Sequence, residues 1–128
     1  MSVKRQFQRA ILTALRCTKG LRIRAGNGQH RFIGIWFVMV KERVFVRSWS
    51  VKPKGWYRVF LKDPRGTILL ANHKIAVRAV STGTKRLRDA VDRAYLQRYN
   101  TPGALKYAKD LGSPKSRATT TELVPFRT

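Results

Sequence analysis

The stretch RFIGIWFVMVKERVFVRSWSVKPKGWYR, residues 31–58, decides the fold. Its first ten residues, Arg31 to Val40, are almost continuously apolar, the mark of a strand at the centre of a sheet with both faces covered. Lys41-Glu42-Arg43 is a short polar turn, and Val44 to Trp49 is a second apolar strand returning beside the first. Pro53 and Gly55 prevent the strand from continuing, and Trp56 opens a short helix that runs to about Leu61.

The second half of this stretch also carries chemistry. Arg47, Ser48, Ser50, Lys52, Lys54 and Arg58 supply cationic and hydroxyl donors, while Trp49, Trp56 and Tyr57 supply flat apolar faces. Fixed cations beside aromatic planes suit a ligand with a phosphate at one end and a ring at the other. The competing reading has the aromatics filling one end of the core and the cations belonging to a generally positive surface; composition leaves both open. Trp36, inside the central strand, reads as core. Arg31 and Arg47 stand at or within apolar strands, where an unpaired buried guanidinium would be costly. With few acids in the chain, an external anion is their expected partner.

Outward from this stretch the chain alternates short elements. Val3, Phe7, Ala10, Ile11, Ala14 and Leu15 recur at helical spacing over residues 3–16, and Lys19-Gly20 ends that helix. Leu21, Ile23 and Ala25 alternate with Arg22 and Arg24, as in a half-buried strand, and Gly26-Asn27-Gly28 is a tight turn. After a turn at residues 63–66, Thr67–Ala71 and Lys74–Val80 form a hairpin around Asn72-His73. Thr84 caps a longer helix in which Leu87, Val91, Ala94 and Tyr95 share a side. Asp89 and Asp92 lie four residues from Arg93 and Arg88, within reach of local ion pairs. A helical piece at residues 104–111 and a last strand from Arg117 to Val124 complete the order α-β-β-β-α-β-β-α-α-β. No βαβ unit with a Gly-rich turn occurs, which argues against a doubly wound nucleotide fold. Six strands with short links predict a small, mainly antiparallel barrel, α+β in class, forming one domain over residues 1–128.

Composition narrows the function. Six acids, two His and one Cys offer no paired carboxylates, no metal-ligand spacing and no nucleophile set beside a base, so no catalytic residue is assigned and no metal is expected. Chemistry, if any, is expected from a bound cofactor. The longest apolar run is too short to span a bilayer, no signal segment is visible, and a lone Cys17 permits no internal disulfide, so a cytoplasmic location without membrane contact is expected. The net charge of +22, from 28 Lys and Arg against 6 Asp and Glu, attracts polyanions, and non-specific nucleic-acid binding is a second reading.

Four segments, GIWFVMV (34–40), VFVRSW (44–49), GWYR (55–58) and SRATTTELVP (116–125), together with AYLQRY (94–99), resemble a bacterial family of small domains of unknown function. That family is similar to the deazaflavin-dependent nitroreductases and the wider flavin-binding split β-barrel group. The resemblance implies a six-stranded antiparallel split barrel of the FMN-binding type with flanking helices, often a homodimer. It also implies FMN or a deazaflavin as cofactor and an oxidoreductase of the nitroreductase-like group. Carried over, Arg47, Ser48, Lys52, Lys54, Trp56 and Tyr57 would surround the phosphate and ribityl end of this phosphorylated ring cofactor. Ile35 and Trp36 would lie close to the ring and Arg31 at the entrance, while Arg117 and Thr119 match the closing motif without an assigned role.

Overall fold

Alternation decides which side chains enter the barrel. In β1 (Leu21–Ala25), Leu21, Ile23 and Ala25 are buried while Arg22 is exposed, the two-residue period of a strand with one wet face. The computed structural model describes residues 6–18, 20–26, 31–48 and 55–126. Within them the run expected as one central strand is two: β2 (Ile33–Ile35) and β3 (Phe37–Val40), broken at Trp36. β2 pairs with β1, whereas β3 pairs with β4 (Arg43–Val46). With β5 (Arg65–Leu70), β6 (His73–Ser81) and β7 (Thr121–Pro125), the sheet order is β2-β1-β5-β6-β7-β4-β3, antiparallel throughout.

The two ends of that order are consecutive in sequence. The sheet therefore bends round until its first and last strands meet at Trp36, forming a nearly closed barrel of seven strands. Six runs of chain build it, because β2 and β3 are halves of one run. Closure of this kind leaves little free edge for pairing with other chains.

Inside the barrel lie Ile23, Phe37, Val44, Val46, Ile68, Val77 and Leu123. Leu12 and Leu15 of α1 (Arg9–Cys17) join this cluster, as does Phe60 of α2 (Trp56–Lys62). A Cβ on Gly66 would stand 2.6 Å from the Phe60 ring, so β5 needs glycine there for α2 to seat. A second cluster forms outside, where Val38 and Phe45 face Val91 and Tyr95 of α3 (Lys85–Arg98), with Tyr99, Ala108 and Leu111. Phe37 thus points inward while Val38 lies under α3. Both faces of β3 are covered, which is why its sequence shows no alternation.

The local signals for α3 match the structure: the Thr84 hydroxyl accepts from Leu87 N at 3.4 Å. Three other expectations need correction. Helix α1 begins at Arg9 within the described residues, after a non-helical Gln6–Gln8. The turn between β5 and β6 is Ala71-Asn72, one residue early, with Ala71 at φ 53°. The strand expected over 117–124 begins only at Thr121, as β7: Arg117 ends a short helix, α5 (Pro114–Arg117), and residues 118–120 link the two. Ser113-Pro114 starts α5, with the Ser113 hydroxyl accepting from Ser116 N at 3.5 Å. No helix among the described residues is long and apolar enough to cross a membrane.

Candidate functional site

Three groups of residues were expected at the site: the exit of β4, the start of α2, and the strand holding Trp36. Strand β4 stops at Val46, so Arg47 and Ser48 follow it directly and are buried. The Arg47 guanidinium is wholly enclosed. It donates to an Asp92 carboxylate oxygen, to Leu111 O at 2.9 Å, to Arg88 O at 2.9 Å and to Thr120 Oγ1 at 2.8 Å. The expectation of an external anion is therefore corrected: Asp92 of α3 is the counter-charge, and carbonyls satisfy other donors. Burial pushes the Arg47 guanidinium below its usual range, and the Asp92 hydrogen bond works against that shift.

Asp92 and Asp89 do not form the local pairs expected with Arg88 and Arg93. The second Asp92 oxygen pairs with Arg117, which also reaches Asp89 at 2.9 Å, and Asp89 accepts from Lys85 at 2.9 Å. Arg117, which had no role in the sequence reading, thus ties α5 to α3. Hydrogen bonds from Lys85 and then Arg117 hold the Asp89 carboxyl below the usual carboxylate range. Its contribution to stability is present above the unfolded value near 3.9 and is lost as pH falls through the lower folded value. The difference in melting temperature between the protein and Asp89→Asn is therefore expected at pH 6 and should vanish in strong acid. Thermal melts across that range check it.

Ser48 and Tyr57 are brought to one corner by the chain between α5 and β7. Ser48 N donates to Thr119 Oγ1 at 2.8 Å, and the Thr119 hydroxyl donates to Ser116 O at 2.6 Å. The Tyr57 hydroxyl reaches Ala118 O at 3.5 Å. Trp56 packs half-buried against the barrel cluster, edge-on to Tyr57 and Phe60 at 6.1 and 5.9 Å. Lys52 and Lys54, with Trp49 and Ser50, lie outside the described residues.

Ile35 and Trp36 line a cleft of about 680 Å³ at the seam of the barrel. Gly20, Leu21, Arg22, Gly34, Leu69 and Ala71 complete its lining, with Leu21 paired to Ile35, and Arg22 to Gly34 and Leu69, across adjacent strands. Arg31 is exposed ahead of β2 and is not one of the walls. At the Trp36 break, Tyr95 of α3 and Tyr99, the residue that caps it, bond backbone groups of Trp36 and Phe37. Tyr95 donates to Trp36 O at 3.0 Å; the Tyr99 hydroxyl donates to Phe37 O at 2.9 Å and accepts from Phe37 N at 3.1 Å. Burial raises the pKa of both phenols, so both remain protonated donors. The Trp36 ring is stacked flat on Tyr99, centroids 4.0 Å apart and planes within 4°, with the edge of Tyr107 at 6.3 Å. Tyr95 also lies under the Arg47 guanidinium at 5.8 Å, joining the buried corner to the cleft wall.

The sequence reading missed Arg22, Gly34, Leu69, Tyr95 and Tyr99. Tyr95 and Tyr99 were legible as an i, i+4 pair on one helix face, but their acceptors lie about 60 residues away. Arg22 meets Gly34 and Leu69 through strand register, which one sequence does not show. A second cleft of about 490 Å³ lies beside the β3–β4 turn, but its Arg16 is paired with Glu42 and its Arg98 with Thr18 O and the Tyr99 hydroxyl.

Residues 12–123 match the model of a family described as uncharacterized protein conserved in bacteria, DUF2255. The chain belongs to this family. No curated protein matches it in sequence. Solved structures share its fold at low identity. HutZ, the heme storage protein from Vibrio cholerae, is 15% identical with a TM-score of 0.67, over 96% of this chain and 92% of that one. An FAD-binding protein from Mesorhizobium loti is 14% identical at a TM-score of 0.62, over 98% and 93%. A proposed pyridoxamine 5′-phosphate oxidase from Listeria innocua is 13% identical at 0.61, over 92% of each chain. The architecture of this DUF2255 member is thus the split barrel of the pyridoxamine-phosphate-oxidase type, α+β with an antiparallel sheet.

Proposed function

We propose that the cleft at the barrel seam binds the ring of FMN or a deazaflavin, and that the protein is an oxidoreductase acting on a small acceptor. The observation that carries this reading is the cleft itself, built where Trp36 is clamped between strand halves. Its volume lies in the range of about 300–1,000 Å³ usual for small-ligand sites. Its residues fit the cofactor: Leu21, Ile35 and Leu69 offer apolar contact, the Trp36 ring a flat aromatic wall, and Arg22 a cation at the rim. The split barrel shared with an FAD-binding protein supports the reading at the level of fold.

When bound, the ring would supply hydride transfer. The chain's part is to bind and orient. Trp36, immobilised by Tyr95 and Tyr99, sets the plane of one wall, and Ile35 fills beside it. Arg22, rather than the enclosed Arg47, favours negative charge on the ring. Lys52, Lys54 and Arg31 are assigned to the anionic tail. Ser48, Trp56 and Tyr57 border it, and Arg47 acts by fixing the corner from which that loop departs.

Gly34→Leu tests the assignment. A Cβ there would meet no heavy atom within 4 Å, so the larger side chain enters the cleft without disturbing the barrel. FMN or deazaflavin affinity, read by fluorescence titration, is expected to fall at least about tenfold, about 1.4 kcal/mol or more, while the melting temperature stays near that of the parent. Unchanged affinity in a folded variant would move the ligand elsewhere.

A further inference from the structure

We infer that the outer face of β1, β5 and β6 is a docking surface for single-stranded nucleic acid. α3 packs on the opposite side of the barrel, on β3 and β4, and α1 and α2 direct their buried side chains into the core. The outer face of β1 and β6 is left wet: Arg22, Lys74, Ala76 and Arg78 are all exposed.

Register sets the pattern on this face. Arg22 stands opposite Leu69, and Leu69 opposite Lys74; Arg24 stands opposite Thr67, and Thr67 opposite Ala76; Arg65 stands opposite Arg78. Arg22 and Arg24 are therefore about 7 Å apart along β1, and Arg22 and Lys74 about 10 Å apart across two strand spacings. Small and apolar residues separate them, so the cations project from a low floor that an extended chain could follow.

Among the described residues, Glu42, Asp63, Asp89, Asp92 and Glu122 are each paired with a cation; Asp63 binds Arg65 at 3.0 and 3.1 Å at the edge of this face, and Glu122, opposite Val80 of β6, is buried on Arg43. Arg22, Arg24, Lys74 and Arg78 have no ion pair among the described residues. A second copy docking through this face by two-fold symmetry would set this positive field against itself. An anionic partner is complementary.

Flat apolar groups flank the cations. The Arg24 guanidinium lies over the Phe32 ring at 4.4 Å, and its buried Nε has no hydrogen-bond partner. Phe126, 37% exposed, sits beside Ala76, whose carbonyl accepts from Phe126 N at 2.9 Å. Cations tracking a backbone, with rings on which bases stack, are the arrangement that binds single strands without strong sequence preference. The face offers no helix to enter the groove of a duplex.

The test is fluorescence anisotropy of a labelled oligothymidylate of about twenty nucleotides, at about 0.15 M salt, without added flavin. The parent is compared with two triple variants of equal charge loss. One is Arg24→Ala/Lys74→Ala/Arg78→Ala on the sheet face; the other is Arg86→Ala/Arg93→Ala/Lys106→Ala on exposed positions of α3 and α4 (Pro102–Asp110). The sheet-face triple is expected to weaken binding at least about tenfold and to flatten the salt dependence by about two units of slope. The helix triple should change affinity about threefold or less. Equal losses in both triples would overturn the assignment, leaving only overall charge, as would tighter binding of a duplex of the same sequence length. A parent dimer that the sheet-face triple converts to monomer, with oligonucleotide affinity unchanged, would assign the face to a second copy instead. Circular dichroism of both triples verifies folding, and the two single variants Lys74→Ala and Arg78→Ala provide the same comparison if a triple does not fold.

Discussion

Asp92→Ala is expected to lower the free energy of unfolding by about 3 kcal/mol, because it leaves the Arg47 guanidinium buried without a counter-charge. Asp92 itself is about one-quarter exposed, so water recovers part of its own hydration, but Arg47 has no route to solvent. Leu111 O, Arg88 O and Thr120 Oγ1 continue to accept hydrogen bonds; none of them carries charge. Asp92→Asn keeps the shape and one acceptor, and should cost less than the alanine variant. Arg117 loses one of two carboxylates and can remain on Asp89. Urea unfolding of the three proteins checks the order. Asp63→Ala is the surface control: its partner Arg65 is well exposed, so no clear change is expected there. An Asp92→Ala variant as stable as the parent would mean that Arg47 is not enclosed.

Phe45→Ala is expected to destabilise by about 3–5 kcal/mol. Phe45 is fully buried on the outer face of β4, opposite Val38 of β3 and Glu122 of β7, beneath α3. The strand cannot collapse into the space left, because its pairing on both sides fixes the distance to α3. The helix is also held by Tyr95 and Tyr99 at the Trp36 break, so the cavity persists. Loss of α3 seating should loosen Trp36 as well, since Tyr99 forms its stacking partner. Denaturant unfolding gives the first number, and Trp fluorescence reports the second effect.

Much of the fold was legible because its signals are local. Alternation in Leu21–Ala25, the hairpins, the Thr84 cap and the Trp56 helix start each depend on a few neighbouring residues. The break at Trp36 was not legible, since its stability comes from two hydroxyls supplied by α3. The strand expected from Arg117 starts at Thr121 instead, because the Ser113-Pro114 helix start carries the chain through Arg117 to its cap at Ala118.

The site divides along the same line. Ile35 and Trp36 line the cleft, and Ser48 and Tyr57 share a corner near Thr119 and Ala118. Arg47 was singled out for a sound reason, the cost of an unpaired buried cation, but its partner is 45 residues along the chain. Counting acids in the sequence suggested a shortage. The fold overcomes that shortage by having Asp89 and Asp92 each contact two cations. Arg22 could not be ranked above the other outward-facing cations until register placed it beside Gly34.

The most direct measurement is a titration of the protein with FMN and, separately, with a deazaflavin at about 0.15 M salt, followed by ligand fluorescence. Saturable quenching by one of them at micromolar concentration, with one ligand per chain, is the expected result. If neither ligand saturates in that range while the protein is folded, the cleft beside Trp36 does not hold a ring cofactor and the oxidoreductase reading falls.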